Sequence, residues 1–391
     1  MTFPAFKRNV FILEGLNGFA GSIYFNYLFF YLKDQFGFSN SGNLLFGAIN
    51  GLVYTFGALY GGKFAQRKGY LTALQTGWVL IIGAMLAAAV SKSILLHLAV
   101  MIIWSVGISF TWPALEALSC EGENGVTLPR KVGIYNVVWS LTLAFAYFVG
   151  GAIIERFGWA SMFLIPAAIH LIQIVLTRML PRTRGAWHEL ADAPALDAEP
   201  PHELHSARAK RFLRMAWLTN PFAYIAMNTI VPLIPDVAAR LHLSPTGAGF
   251  FCSIWTFARM GCFTLLWKWT GWHYRFRWLL ASYLLMIACF AAILLFSRFW
   301  LLVLAQLGFG LAVGLIYYSS LYYSMDSSDT KGEHGGLHEA AIGAGIFGGP
   351  AIGVTAIYFF PTVANVSVLA VSAFLMLGLG GLLRLGSAKI R

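Results

Sequence analysis

The chain has 391 residues, of which 58% are hydrophobic and only 11% are charged, and it carries a formal net charge of +11. A soluble domain normally has about a quarter of its residues charged, so this composition excludes a fully water-covered surface and indicates a membrane protein. The four cysteines lie in or beside apolar runs and lack metal-ligand spacing, which argues against a disulfide framework and against a metal site.

Twelve apolar segments follow one another along the chain, and each is about long enough to cross a bilayer as a helix. We place them near residues 10–32, 42–65, 70–90, 95–118, 132–154, 159–179, 215–235, 246–267, 277–296, 298–323, 337–359 and 362–384. The predicted fold class is therefore an all-α polytopic membrane protein with 12 transmembrane helices. The first run is too long for a signal peptide and lacks a small-residue cleavage site, so we expect it to remain as the first span.

The longest polar interruption separates the sixth and seventh spans. It covers residues 181–214 and is rich in proline, alanine and charged residues, without an apolar stripe that would need a core. Such a composition is typical of a linker. We therefore predict an N-terminal six-helix bundle at 1–180, a cytoplasmic linker at 181–214 and a C-terminal six-helix bundle at 215–391.

Lysine and arginine are distributed unequally between the two sides of the predicted bundle. If the N-terminus is inside, 21 of the 27 basic residues lie in inside segments, five lie in outside segments, and Arg259 alone lies within a span. Cytoplasmic segments of membrane proteins are enriched in these residues. The pattern predicts both termini in the cytoplasm and a multi-pass protein of the cytoplasmic (inner or plasma) membrane. Because topology explains the positive charge, we expect no nucleic-acid partner.

Two motifs recur at matching places in the predicted halves. A short basic turn follows the second span of each half, as GGKFAQRKGYLTAL (61–74) and WKWTGWHYRFRWLL (267–280). Paired glycines interrupt spans 5 and 11, as FVGGAII (148–154) and FGGPAIG (347–353). Duplicated halves with glycine-interrupted helices are typical of alternating-access transporters.

The first basic turn resembles the signature that the major facilitator superfamily carries after its second span. The residues that fit are Gly62, Ala65, Arg67 and Gly69, while Gln66 stands where the family usually has an acid. The runs 151–163 and 338–353 resemble the end of span 5 and the glycine-rich span 11 of bacterial-type members. This resemblance implies two pseudo-symmetric six-helix bundles that rock around a central site, with spans 1, 4, 7 and 10 lining the cavity.

Few ionisable residues lie within the predicted spans. The candidates for proton coupling or gating are Glu14, Glu116, Arg259 and Glu339. A charge within a bilayer costs at least a few kcal/mol, so such residues normally face a cavity or each other. A carboxyl group in apolar surroundings can exchange protons near neutral pH. Two alternatives stay open: a static pair between Arg259 and a glutamate, and capping of span 11 by Glu339 at its N-terminal end.

Polar and aromatic residues recur at helical spacing on several spans. The candidate substrate-binding residues are Asn17, Tyr24, Trp112, Trp139, Tyr224, Asn228, Trp255, Thr256, Tyr317 and Tyr318. On span 1, Glu14, Asn17 and Tyr24 share one helical face, which we expect to form part of the cavity wall. A cavity walled by aromatic rings with few fixed charges suits an amphiphilic or aromatic solute, including a cation held by the ring faces.

Together these features predict a secondary active transporter that moves a small organic solute by alternating access. We predict proton-coupled export (proton antiport), because Glu14 occupies a position like that of acids in multidrug exporters of the family. The alternatives are uptake or facilitated diffusion of a nutrient or lipid-like solute, and a membrane sensor that does not transport. The sequence contains no P-loop that would indicate an ATP-driven pump, and no HExxH or Ser/His/Asp pattern that would indicate an enzyme. We expect a monomer with a small-molecule solute, protons and membrane lipid as partners, and no cofactor.

Overall fold

The computed structural model describes residues 3–122, 128–180, 207–326 and 331–387, and within these ranges it consists of helices without strands. The twelve helices are α1 (Phe3–Phe36), α2 (Asn40–Lys68), α3 (Tyr70–Val90), α4 (Ile94–Cys120), α5 (Leu128–Phe157), α6 (Ser161–Thr177), α7 (Ala207–Arg240), α8 (Pro245–Lys268), α9 (Phe276–Leu295), α10 (Phe299–Asp326), α11 (Lys331–Phe359) and α12 (Val366–Ser387). The predicted all-α fold with 12 helices is confirmed. Of the predicted linker, residues 181–206 lie outside the described residues, whereas 207–214 form the first turns of α7.

Ten of the described helices are long and apolar enough to cross a membrane. Helix α6 is apolar but has only 17 residues. Helix α1 has 34 residues, but polar side chains such as Asn17 and Asn26 lower its hydropathy. Both asparagines are buried, and most residues of α1 from Leu13 to Leu32 are buried with them. The mixed composition of α1 therefore reflects a helix that is surrounded by other helices more than by lipid.

Local sequence explains where several helices begin and end. The hydroxyl of Ser244 accepts a hydrogen bond from the backbone N–H of Gly247 at 3.1 Å, and Pro245 follows as the first residue of α8. A serine cap followed by proline is a typical helix start. Gly69 alone separates α2 from α3 and has a φ of 92°, a conformation that glycine adopts without a steric penalty. The glycine of the basic turn therefore joins two long helices directly.

The helices sort into two sets that repeat one packing scheme. The first half, α1–α6, and the second half, α7–α12, each pack mainly among themselves. The pairs α1–α5, α2–α4 and α3–α6 have counterparts in α7–α11, α8–α10 and α9–α12, as duplicated halves predict. We call the face where α1 begins and α12 ends the terminal face, and the opposite face the distal face.

The halves meet along two long helix pairs, α2 with α11 and α5 with α8. Glycines allow these pairs to approach closely. A methyl group added at Gly51 would collide with the backbone of Phe347, and one added at Gly151 would collide with the carbonyl of Pro245. Small residues at helix contacts are a common device in membrane proteins, because they let dispersion forces act between two backbones.

Polar bonds join the two halves at the distal face. Lys33 at the end of α1 forms an ion pair of 2.9 Å with Asp236 of α7. The side-chain amide of Asn43 donates to the carbonyl of Pro232 at 3.1 Å. The carboxylate of Glu155 accepts from the hydroxyl of Thr246 at 2.7 Å. The distal face is therefore closed in this structure by bonds between the halves.

Candidate functional site

Acidic, basic and aromatic side chains from both halves meet between the two long inter-half helix pairs. We call this group the central cluster, and its members are Glu14, Tyr54, Glu116, Tyr135, Trp139, Tyr224, Trp255, Arg259, Tyr317 and Glu339. The cluster draws on α1, α2, α4, α5, α7, α8, α10 and α11. The peripheral helices α3, α6, α9 and α12 contribute none of these residues, so the site belongs to the inner helices of both halves.

Glu14 is the most isolated acid of the cluster. Its side chain is fully buried, and neither carboxyl oxygen has a hydrogen-bond partner among the described residues. It interacts electrostatically with Glu116 and with Tyr135. An ionised carboxylate without water or a donor costs several kcal/mol to bury. A bound proton or a cationic group of a solute would remove this cost.

Glu339 is bound across the two halves. One of its carboxyl oxygens accepts a hydrogen bond of 2.7 Å from the hydroxyl of Tyr54, which joins α11 to α2. A methyl group at Gly343, one turn further along α11, would lie 2.7 Å from the Cα of Thr55. Helix α11 begins at Lys331, two turns before Glu339, so this glutamate does not cap the helix.

Glu116 connects the other two acids. It lies in the last turns of α4 and is only partly buried. It interacts electrostatically with Glu339 and also with Glu14. Tyr135 on α5 interacts electrostatically with all three glutamates and with Tyr317. The three carboxyl groups therefore form one electrostatic unit rather than three separate sites, with the phenol of Tyr135 among them.

Arg259 lies between two indole rings, one from each half. Its guanidinium carbon is 4.8 Å from the ring centre of Trp139 on α5 and 5.1 Å from that of Trp255 on α8. One guanidinium nitrogen contacts the sulfur of Met227 at 3.4 Å, and Nε has no hydrogen-bond partner among the described residues. No described carboxylate lies within ion-pair distance of Arg259, so the static pair with a glutamate does not form.

Aromatic rings continue from the Arg259 site across the cluster. Trp139 contacts Tyr317 at 5.6 Å, Phe263 at 5.6 Å and Trp112 at 6.2 Å between ring centres. Tyr317 in turn contacts Tyr224 at 6.3 Å. The structure thus brings together five of the predicted substrate-binding residues. These are Trp112, Trp139, Tyr224, Trp255 and Tyr317.

Two predicted residues of span 1 lie elsewhere. Asn17 accepts a hydrogen bond of 3.0 Å from the indole of Trp78 on α3. Tyr24 packs against Trp104 of α4 at 5.0 Å and Phe163 of α6 at 6.1 Å. Both side chains are buried inside the first half, and the partners named here all belong to that half. The expected cavity wall on α1 is therefore reduced to the region of Glu14, and solute contact by Asn17 and Tyr24 stays a prediction.

The remaining predicted residues border the cluster. Thr256 donates to the carbonyl of Ser253 at 2.6 Å, and the amide of Asn228 donates to the carbonyl of Tyr224 at 3.0 Å, so both are bonded within their own helices. Tyr318 lies nearer the terminal face, 5.8 Å from the ring of Trp272. Their contact with a solute stays a prediction.

A cavity of about 270 Å³ lies between the halves towards the terminal face. Helices α5, α8 and α10 and the connection between α8 and α9 line it, with Arg130, Asn136, His273 and Tyr318 among the lining residues. Asn136 also accepts a hydrogen bond of 3.0 Å from the indole of Trp139. The cavity therefore borders the aromatic part of the central cluster.

Sequence reasoning missed Tyr54 and Tyr135. Both lie on helices that the family resemblance does not assign to the cavity, α2 and α5. A polar hydroxyl in an apolar span was the available signal, but many such tyrosines lie at membrane interfaces instead. Among the described residues, no group of three or more His, Cys, Asp or Glu side chains is placed to hold a metal ion.

The family described as Major Facilitator Superfamily matches residues 10–222, which is more than half of the chain. The chain belongs to this superfamily, and the resemblance seen in the sequence is confirmed. Members of this superfamily are membrane transporters that bind small-molecule solutes and are not enzymes. The protein is therefore a multi-pass membrane transporter.

Several known proteins resemble the chain in sequence or in fold. Over 140 residues the chain is 32% identical to the methyl viologen resistance protein SmvA of Salmonella typhimurium, in strains 14028s and LT2, and this match covers 34% of the chain but only 27% of SmvA. The nucleoside transporter NupG shares its fold with a TM-score of 0.71 at 15% identity, over 98% of this chain and 100% of NupG. The human organic anion transporter MFSD10 has a TM-score of 0.66 at 14% identity, over 98% of this chain and 100% of that chain.

Proposed function

We propose that this transporter exports a small aromatic or amphiphilic organic solute with a positively charged group, in exchange for protons. The observation that carries the proposal is the composition of the central cluster, in which three glutamates and one arginine lie among aromatic rings. The positive charge of the solute and the protons would neutralise the same carboxyl groups in turn, and the two halves would rock around the cluster in alternating access.

Charge balance supports a cation and protons as the two transported species. With all three glutamates ionised and Arg259 charged, the cluster carries an excess of two negative charges in a largely buried place. Two protons, or a cationic solute, would compensate that excess. Competition between protons and solute for one set of carboxylates is the simplest physical basis for exchange. Ring faces add to the affinity for cations but not for anions.

The direction of transport rests on a partial relative. SmvA is called a methyl viologen resistance protein, and a resistance function agrees with export from the cell. The match covers only about a quarter of SmvA, so this relative supports the direction and the charge of the solute without fixing either. The position of Glu14 on the first helix supports the same direction by analogy with exporters of the family.

The distribution of basic residues supports a particular orientation of the protein in the membrane. We propose that the terminal face is cytoplasmic, because the basic residues are concentrated in the segments at that face. The membrane would be the inner or plasma membrane, with lipid around the peripheral helices. We further propose that the chain acts as a monomer in which 1–180 and 215–391 are the two rocking bundles.

Transport assays in vesicles test this proposal. The full chain would be purified and reconstituted in liposomes with an acidic interior, and methyl viologen would be added outside. We expect methyl viologen to accumulate inside while protons leave, as recorded by an internal pH dye, and empty liposomes serve as the control. Accumulation under the opposite gradient would overturn export in favour of proton-coupled uptake. Equilibration without any pH dependence would indicate facilitated diffusion, and binding without flux would indicate a sensor.

A further inference from the structure

We propose that Arg259 is a built-in competitor of the solute: its guanidinium occupies the site between Trp139 and Trp255 that the positive group of the solute takes when it binds. This proposal rests on the cationic solute of the proposed function. It adds a specific location for the positive group and a specific role for Arg259, namely to leave that location on binding.

The two tryptophans form a cation site between the halves. Trp139 belongs to the first half and Trp255 to the second, and the guanidinium carbon lies 4.8 Å and 5.1 Å from their ring centres. Both distances are within the range of about 6 Å in which a ring face attracts a cation. Each tryptophan is buried, with 6% and 5% of its surface exposed. Weak hydration in such a site strengthens the attraction for any cation that enters it.

The bonds of Arg259 differ from those of the structural arginines. Arg240 donates to the carbonyl of Leu294 at 2.9 Å and lies 3.9 Å from Asp236, and Arg211 donates to the carbonyl of Leu385 at 2.8 Å. Apart from the two rings, Arg259 has one polar contact within the described ranges, with the sulfur of Met227, and its buried Nε has no hydrogen-bond partner there. A buried guanidinium normally binds carboxylates or carbonyls through several N–H groups. Because Arg259 lacks such bonds, the two rings are its main partners, and another cation can compete for them.

The backbone of α8 packs closely on α10 beside Arg259, so we place the movement in the side chain. A methyl group at Gly310 of α10 would collide with the carbonyl of Trp255, which shows how closely α10 packs on α8 here. The indole of Trp139 is oriented by its hydrogen bond to Asn136. Displacement of Arg259 would therefore begin with a rotation of its side chain.

The surroundings favour a cation over an anion as the ligand. Tyr224 and Tyr317 interact electrostatically with Arg259 and also with Glu116 and Glu339. An anion bound at Arg259 would face two ring faces and these nearby carboxyl groups. A displaced guanidinium, in contrast, would move towards the carboxylates and replace the protons that they release. The same rotation would thus connect solute binding with proton release.

Binding measurements on the purified full chain test the proposal. Tetraphenylphosphonium, a monovalent aromatic cation, would be titrated calorimetrically into the wild type and into Arg259→Gln and Arg259→Met. Removing the competitor should tighten binding by roughly 3- to 30-fold, which is the range that one cation–ring site provides. Arg277→Gln is the matched control, because Arg277 lies 5.5 Å from the ring of Trp278 outside the cluster, and we expect no change in its affinity. Trp255→Leu should weaken binding by a similar factor.

Several results would overturn the proposal. Unchanged or weaker binding by folded Arg259 variants would show that Arg259 does not compete. Binding of benzoate by the wild type that is lost in Arg259→Gln would instead assign an anion site. If neither Arg259 variant folds, unchanged affinity of Trp255→Leu would exclude the ring site. Tighter binding without proton-coupled flux of methyl viologen would leave this inference intact and refute the transport proposal, so the two failures can be told apart.

Discussion

The ionisable residues of the central cluster differ mainly in their partners. Glu339 has a donor in Tyr54, Arg259 has two ring faces, and Glu14 has no hydrogen-bond partner among the described residues. A buried polar group without a partner is costly, and such groups in membrane proteins usually serve transport. Glu14, whose burial is least compensated by hydrogen bonds, is thus the best candidate for binding a proton.

Replacing Glu14 by glutamine should abolish the pH dependence of transport. Glutamine has nearly the same shape but cannot ionise, so the fold should stay intact while the exchangeable proton is lost. Methyl viologen flux would be measured over a series of imposed pH gradients. Asp34→Asn is the matched control, since Asp34 is an exposed acid that bonds to Trp159 within the first half. A Glu14→Gln variant with wild-type pH dependence would remove this residue from the mechanism.

Replacing Tyr54 by phenylalanine removes the hydroxyl that donates to Glu339. A hydrogen bond to a charged group contributes about 1.5–3 kcal/mol. We therefore expect Tyr54→Phe to unfold at a lower temperature, because the bond between α2 and α11 to an ionised Glu339 is lost. Tyr60→Phe on the same helix is the control, because Tyr60 is 64% exposed and should tolerate the change. Equal stability of the two variants would mean that the Tyr54 bond contributes little.

At the scale of the elements, close packing of helices from opposite halves defines the site. The pairs α2–α11 and α5–α8 are in contact through glycines, and the central cluster lies between these two pairs. Interiors are packed densely enough that one extra methyl group is felt. The position of the cluster residues therefore depends on small residues that carry no chemistry themselves.

Gly51→Ala should disrupt the α2–α11 pair. The added methyl group would collide with the backbone of Phe347, and overpacking of this kind typically costs about 1–3 kcal/mol. Gly83→Ala is the control: it lies in the middle of α3 with nothing within 4 Å of the added group, and alanine favours the helix by up to about 1 kcal/mol. The midpoint temperature of thermal unfolding should fall for Gly51→Ala and should stay the same or rise for Gly83→Ala. The same midpoint in both would contradict the packing argument.

At the scale of the whole molecule, the structure is closed at the distal face, which is one of the two states that the proposed alternating-access cycle requires. The distal face is closed by bonds between the halves, led by the ion pair of Lys33 and Asp236. To open this face, those bonds must break together while the cluster stays between the halves. Because the pair is partly exposed, with 32% and 42% of the two side chains accessible, it contributes at most about 1 kcal/mol. An ion pair of this strength can shift the populations of two conformations of similar free energy without fixing the protein in one of them.

Asp236→Asn should raise the population of the state that is open at the distal face, by up to about fivefold for a pair of this strength. Spin labels would be attached at Lys92→Cys and Thr362→Cys, in exposed distal loops of the two halves, in a background without the native cysteines. Double electron–electron resonance would then measure the distance between the two labels. We expect a larger fraction of long label-to-label distances in Asp236→Asn than in the wild type. Asp34→Asn should not change this fraction, because the carboxylate of Asp34 bonds within the first half. An unaltered distance distribution in Asp236→Asn would show that other contacts close this face.

The sequence by itself determined the fold class, the family and the ionisable residues that meet in the central cluster. Apolar runs of bilayer length must form helices, because their backbone groups have no other hydrogen-bond partners in lipid. For the same reason, a few charged residues within such runs are conspicuous, and Glu14, Glu116, Arg259 and Glu339 could be selected directly. These are local properties, which depend on one segment and its solvent.

Tertiary structure alone decided which side chains face one another. Periodicity places Asn17 and Tyr24 on the same face of α1 as Glu14. Asn17 nevertheless bonds to α3 and the ring of Tyr24 packs on α4 and α6, since the neighbours change along a 34-residue helix. The Tyr54–Glu339 bond joins residues 285 positions apart, and Arg259 binds two rings instead of a glutamate. Such contacts depend on how the two halves pack against each other. No single segment contains that information.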